Sequence, residues 1–440
     1  MIQSAVRRAQ RLGRRIHRSA FMRGLAILTS ASVLQTVVTL GSAPIVARLF
    51  DPHDFGISGL IQALAAVPTL AASGQYYAAI GKARGRSEAA NLAMLSILLA
   101  PLVSALLLPV TIYFLFHPDL LPTSIAPVAG YLWMIPASMI VGSWLFVTRL
   151  WEVRHRHYGF AIRSRLLETC GAAVAQIGLG LLAPGPFTLL FGRWLGVASA
   201  AVHGLRTFAA DIGTGRSGIR LRRMLLVARR HWEFPAYQLP GQALSDFSRQ
   251  LIPILLGLYY AIESVGFYWF ANRLLQRPAQ IYGANVGRVF FQHASDRRRD
   301  RRPVSGLYWG SNAALFLVSL VPFGILMAFG PPIFAWAFGS AWETAGRIAQ
   351  WLAFANFANI VGYPARGVTQ LFGMQRSFAV VETARALLSA ATIVAVAHSG
   401  GDVLLAVAAT AILQSVITLG WILAAGLHLR RIDRGLAQAE

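Results

Sequence analysis

Asn272, Gln276 and Gln280 recur every four residues, with Arg273 and Arg277 beside them at the same interval. In a helix, that spacing makes one face strongly polar over two turns. The surrounding stretch, 265–290, is otherwise apolar enough to lie in a membrane, and charges at such depth face a cavity or a partner. Two like charges one turn apart call for water or an anion. An arginine fork matches phosphate oxygens in a bidentate manner, so a diphosphate suits Arg273 and Arg277. Asp246 and Arg249, three residues apart, either neutralise each other or add to the same site. A further stripe, Asn356, Asn359, Tyr363, Arg366 and Gln370, runs at spacings of three and four. The expected ligand-binding set is Arg273, Arg277, Arg249, Gln276, Asn359 and Arg366. These residues predict a cationic, water-filled cavity concentrated in the second half of the chain.

Other charges read as structural. Arg48 and Arg347 lie at helix ends and can snorkel. Glu382 and Arg385 are spaced as a helical pair, and Arg193 is left unassigned. No phosphate-cradling glycine loop, HExxH or nucleophile elbow occurs in the sequence, which points away from an enzyme and from any cofactor. His155 and His157 sit in a basic loop rather than a metal site. The single cysteine, Cys170, lies in an apolar stretch and reads as a small buried hydrophobe.

Membrane helices must position these residues. The chain is 56% hydrophobic and 13% charged, with a net charge of +23. A hydrocarbon core of ~30 Å needs ~20 apolar helical residues. On that measure spans fall near 24–48, 55–80, 89–116, 125–148, 161–183, 187–209, 236–260, 265–290, 305–329, 345–372, 377–397 and 403–428. The fold expected is all-α and integral to the membrane: about twelve transmembrane helices in two six-helix, pseudo-symmetric halves around a central cavity. Arginines crowd every second loop, and the alternate loops at 49–56, 117–124, 183–187, 260–264, 330–346 and 397–403 hold no lysine or arginine. This positive-inside pattern places both termini in the cytoplasm. It also divides the charge among many inward segments, which favours contact with anionic membrane lipids over nucleic acid. Reporter fusions at Asp119 and Gly401 are expected to read outside the cytoplasm, and fusions at Gly215 and Gln438 inside. Inversion at two of these sites would overturn the map.

The expected organisation is an amphipathic cytoplasmic segment (1–20), a first half (21–210), a basic linker (211–235), a second half (236–429) and a tail (430–440). Duplication supports the division. Gly56 and Gly266 differ by 210, as do Pro68 and Pro278, while Pro109 and Pro322 differ by 213. Pro44, Pro68, Pro253 and Pro278 interrupt helices that would flank the interface, where bending lets two halves rock.

The turn Arg48–Gly56, with its Asp-Pro-His-Asp-Phe-Gly run, and the second-half echo ending at Gly266 resemble the polysaccharide transporters of the multidrug/oligosaccharidyl-lipid/polysaccharide (MOP) exporter superfamily, the flippases for lipid-linked O-antigen and exopolysaccharide units. The resemblance runs from about residue 20 to 430. It implies a bacterial inner-membrane protein that carries undecaprenyl-diphosphate oligosaccharides through a cationic cavity, with Arg249, Arg273 and Arg277 in fitting positions. A polysaccharide polymerase and a chain-length regulator are the implied protein partners. No nucleotide site is present, so coupling to H+ or Na+ is expected, with Asp246 the best-placed acid. The chain departs from lipid II flippases of the superfamily: it lacks their charged residues in the first two spans and their two extra helices. The alternatives are a cation-coupled drug exporter, which would bear acids in its cavity, and a membrane glycan polymerase or ligase, which would carry a large outward catalytic loop.

Overall fold

The computed structural model describes residues 33–155, 157–213 and 218–438, with the backbone alone for 158, 277–282, 284, 285 and 437. The amphipathic segment 1–20 lies outside the described residues, as does the start of the first span. Among the described residues all regular structure is helical. The first half comprises α1 (Val33–Leu49), α2 (Pro52–Ala71), the short α3 (Tyr76–Ala79), α4 (Arg86–Phe116), α5 (Met134–Arg154), α6 (Tyr158–Leu182) and α7 (Pro186–Gly213). A connecting helix, α8 (Leu221–Arg230), precedes the second half. That half comprises α9 (Leu239–Tyr259), α10 (Ile262–Arg299), α11 (Ser305–Phe338), α12 (Glu343–Val361) continued by α13 (Tyr363–Leu371), α14 (Gln375–His398) and α15 (Val403–Ala437). Each half therefore supplies six membrane-length elements around a central crevice.

Among the described residues, seven helices are long and apolar enough to cross a membrane by length and composition alone: α2, α4, α5, α6, α11, α14 and α15. The remaining elements are shorter or more polar, α9 and α10 because they carry the charged stripes. A helix that turns polar groups toward a protein interior needs fewer apolar residues than one ringed by lipid.

Three expected boundaries are corrected. The second span ends at Ala71 rather than 80, because Gly74 and Gln75 both take left-handed φ (57° and 59°) and turn the chain before α3. The loop expected at 330–346 is mostly helix. Pro331 and Pro332 remove two backbone donors, but α11 kinks at Phe329 (φ −123°) and continues to Phe338 instead of stopping. The carbonyl that Pro331 leaves unpaired, that of Met327, accepts a hydrogen bond from Gln350 Nε2 at 2.8 Å. The tenth span, expected as one helix over 345–372, breaks at Gly362, where Pro364 follows within the first turn of α13.

The two halves meet most closely where α2 crosses α10, at the end of the molecule bearing the arginine-poor loops. A Cβ on Gly56 would lie 2.1 Å from the Ile262 carbonyl oxygen, and one on Gly266 would lie 2.0 Å from that of Pro52. Each glycine therefore touches the residue four before the other, as a pseudo-two-fold axis requires. Only a residue without a side chain permits backbones this close. Around the crossing, Phe55 packs edge-on to Phe270 (5.2 Å) and Trp342 (4.9 Å). Trp342 is fully buried and donates from Nε1 to the Ala47 carbonyl at 2.8 Å. This aromatic plug ties α1 and α2 to α10 and to the turn that leads into α12.

Candidate anion-binding site

Below the plug, an open crevice lies where α10 of the second half meets α1, α6 and α7 of the first. Its walls are Thr39 and Ser42 of α1, Glu168, Thr169 and Gln176 of α6, Arg193 of α7, and Arg273 of α10. Close packing of α6 on α7 builds the first wall. Gly192 and Gly196 stand one turn apart, and a Cβ on Gly196 would come within 2.5 Å of the Ala172 nitrogen and the Glu168 carbonyl oxygen. Backbones in contact leave the long side chain of Arg193 alongside Glu168 and Gln176.

Hydrogen bonds fix the polar groups. Gln35 Nε2 donates to Thr169 Oγ1 at 3.0 Å and to the Arg165 carbonyl at 3.1 Å. Gln176 Nε2 donates to the Leu189 carbonyl at 3.0 Å. Glu168 is ion-paired with Arg149 of α5. The Arg273 guanidinium lies over the Trp269 ring, 5.1 Å from its centroid, and Trp269 in turn contacts Phe55 at 6.3 Å. The cation is thus oriented by an aromatic group belonging to the junction of the halves. Counted by formal charge, the lining residues Arg193 and Arg273 against Glu168 make the crevice net positive. Behind it, Glu152 is fully buried, its carboxylate oxygens lacking a hydrogen-bond partner, with Arg149 and Arg165 as its charged neighbours.

The expected site residues scatter. Arg273 lines this crevice. Gln276 is exposed and donates to Asn272 Oδ1 at 3.1 Å. The side chain of Arg277 lies outside the described residues. Arg249 and Asp246 form an ion pair with each other and are not among the described lining residues. Asn359 and Arg366 line a second open crevice with Glu382, Arg385, Phe378 and Trp421. There Arg366 sits over Tyr363 at 4.6 Å, and Glu382 and Arg385 pair as their spacing implied. Cavity residues were expected mainly from the second half. Instead the central crevice draws on α1, α6 and α7, with Arg273 the second-half contribution among the described residues. Arg193, Glu168 and Gln176 were missed. The signal for them was the Gly192-x-x-x-Gly196 spacing, which marks a helix–helix contact around Arg193.

Comparison with solved structures agrees with the architecture. The chain is similar to an inward-facing multidrug resistance MATE-family transporter of the MOP superfamily, with a TM-score of 0.68 at 16% identity, covering 91% of this chain and 96% of that one. It is similar to the lipid II flippase MurJ in its inward closed conformation, with a TM-score of 0.64 at 11% identity, covering 94% and 93%. In sequence it is 22% identical over 222 residues to the amylovoran biosynthesis protein AmsL of Erwinia amylovora. That match takes in 50% of this chain and spans about half, 53%, of AmsL. Residues 45–347 match the family described as polysaccharide biosynthesis protein. That match covers well over half of the chain, which is a polytopic membrane protein belonging to the polysaccharide biosynthesis protein family, with the fold of the MOP-superfamily transporters.

Proposed function

We propose that this protein is a flippase that moves an undecaprenyl-diphosphate-linked oligosaccharide unit across the bacterial inner membrane, for exopolysaccharide or O-antigen synthesis. One observation carries the reading: Arg193 and Arg273, contributed by opposite halves, line the same net-positive crevice. An anion held between them bridges the halves, and rocking of one half on the other changes the side from which the anion is reached. The family match and the likeness in fold to MurJ support cargo of this class. A drug exporter that binds organic cations would place acids where this crevice presents arginines, and here Glu168 is already matched by Arg149. Both termini are assigned to the cytoplasm on the distribution of arginine. A polymerase and a chain-length regulator would receive the flipped unit outside. H+ or Na+ is the coupling ion in this scheme, with Asp246 as the carboxylate that takes it.

A strain lacking the protein should lose its surface polysaccharide and accumulate the lipid-linked unit on the inner leaflet. Normal surface polysaccharide in a strain with no second flippase would overturn the proposal.

A further inference from the structure

The connecting helix α8 presents a surface that the proposed transport cycle does not use. Leu221, Leu225 and Leu226 are all more than half exposed, while Met224 is buried against the first half. The helix is clamped there. Arg230 Nη1 and His231 Nε2 approach Glu88 Oε1 at 3.4 and 3.1 Å, and the Arg220 backbone nitrogen donates to Asn91 Oδ1 at 3.3 Å. Lys82 pairs with Glu233 at 3.6 Å and lies 5.1 Å from the Phe234 ring centroid. The exposed leucines are therefore held outward by fixed contacts on the opposite side.

Depth follows from the chain that comes next. A single π-helical turn, Phe234–Gln238, leads directly into α9, the first membrane-length helix of the second half, which begins at Leu239. Tyr237 is exposed two residues before α9 begins, a position that suits headgroup level. Trp232, also exposed, contacts Tyr237 at 5.5 Å, so it shares that level, as aromatic residues do in interfacial belts. The apolar strip from Leu225 through Trp232 to Tyr237 thus leads into the bilayer. Beside it stand Arg222 and Arg229. Seven residues apart, they share one helix face, and both are exposed with no hydrogen bond or ion pair among the described residues. Arg223 and Arg230, by contrast, spend donors on the protein.

We propose that α8, with Trp232 and Tyr237, is a docking surface for the anionic inner leaflet, in which Arg222 and Arg229 bind lipid phosphates while Leu221 and Leu225 insert among the acyl chains. The occupant is a lipid surface rather than a protein because apolar and basic side chains alternate around the exposed face and connect to a membrane-entry point. The lipid pins α8 and the first half together, so the second half moves relative to a membrane-anchored partner from the π-turn onward. The assignment is independent of what the crevice carries, and the test needs no cargo.

The full-length protein, with Cys170→Ser and Leu225→Cys carrying an environment-sensitive fluorophore, would be placed in nanodiscs of phosphatidylcholine with and without phosphatidylglycerol. The label should shift to the blue and resist aqueous quencher when phosphatidylglycerol is present, and added salt should reverse the shift. In R222Q/R229Q the preference for the anionic lipid should fall on the order of tenfold. A label that reports water in both lipids, or a wild-type response unaffected by salt, would overturn the proposal even if the double variant proves unstable. So would a preference unchanged in a well-folded R222Q/R229Q.

Discussion

Arg273→Ala is expected to lower export of the lipid-linked unit by at least ~10-fold while the protein remains in the membrane at its normal level. The guanidinium has two roles that alanine cannot fill. It lines the crevice opposite Arg193, and it rests on Trp269, which touches the aromatic plug at Phe55. A charge-assisted hydrogen bond to phosphate contributes ~1.5–3 kcal/mol, which corresponds to roughly a 10- to 150-fold change in binding. Lysine keeps the charge but loses the fork and the stacking on Trp269, so Arg273→Lys should rescue in part. Arg193→Ala should fall in the same range as Arg273→Ala. Arg249→Ala should cost less, since Arg249 is already paired with Asp246. The comparison is surface polysaccharide from complemented deletion strains at matched expression, with the exposed Arg299→Ala as control. If Arg193→Ala and Arg273→Ala both complement as the control does, the crevice does not bind the cargo.

The second large effect belongs to the α2–α10 crossing. A methyl group on Gly266 would lie 2.0 Å from the Pro52 carbonyl oxygen, and one on Gly56 would lie 2.1 Å from that of Ile262. Both obstacles are backbone, so no rotamer change relieves them. The helices must part by more than an ångström, and the packing of Phe55 against Phe270 and Trp342 is lost with them. Gly266→Ala should therefore leave each half folded but keep the arginine-poor end from closing, with export reduced to about a tenth or less. Gly241→Ala, where a Cβ meets nothing within 4 Å, is the control. The diagnostic reading is access to the crevice. Ser42→Cys in a Cys170→Ser background should react faster with a membrane-impermeant thiol reagent from the arginine-poor side when Gly266→Ala is added. Unchanged access with undiminished export would remove the crossing from the transport cycle.

The halves could be read from the sequence because duplication leaves a register. Gly56 and Gly266, 210 residues apart, are the pair that touch across the pseudo-axis. The helix count followed from hydropathy and loop charge, even where α9 and α10 carried too many polar residues to pass as ordinary spans. The crevice was less legible. Periodicity says which residues share a face of one helix, but not which helices face each other. The Arg273 stripe was therefore visible, while Arg193, far along α7 from Arg206 and Asp211, and Glu168, near Arg163 and Arg165 at one end of α6, formed no comparable polar stripe. The stretch 330–346 was expected as a loop, although Gln350 supplies the hydrogen bond that lets α11 bend at its prolines and continue. In the tenth span the reverse happened: an unbroken polar period over 356–370 concealed the break at Gly362.

Helix α10 runs for 38 residues, roughly 57 Å at 1.5 Å per residue. It is gripped near one end, at Gly266, and so has the geometry of a lever with its fulcrum off-centre. Arg273 is seven residues from the fulcrum, about 10 Å along the axis, while Arg299 is about 50 Å away. Any tilt about the glycine crossing moves the arginine-rich tip about five times as far as it moves the crevice arginine. A doorway can swing wide at the tip while the binding group scarcely leaves its position. Tolerance to change should run the other way along the same helix: strict at the fulcrum, where a single methyl group is too much, and looser at the exposed tip around Arg299.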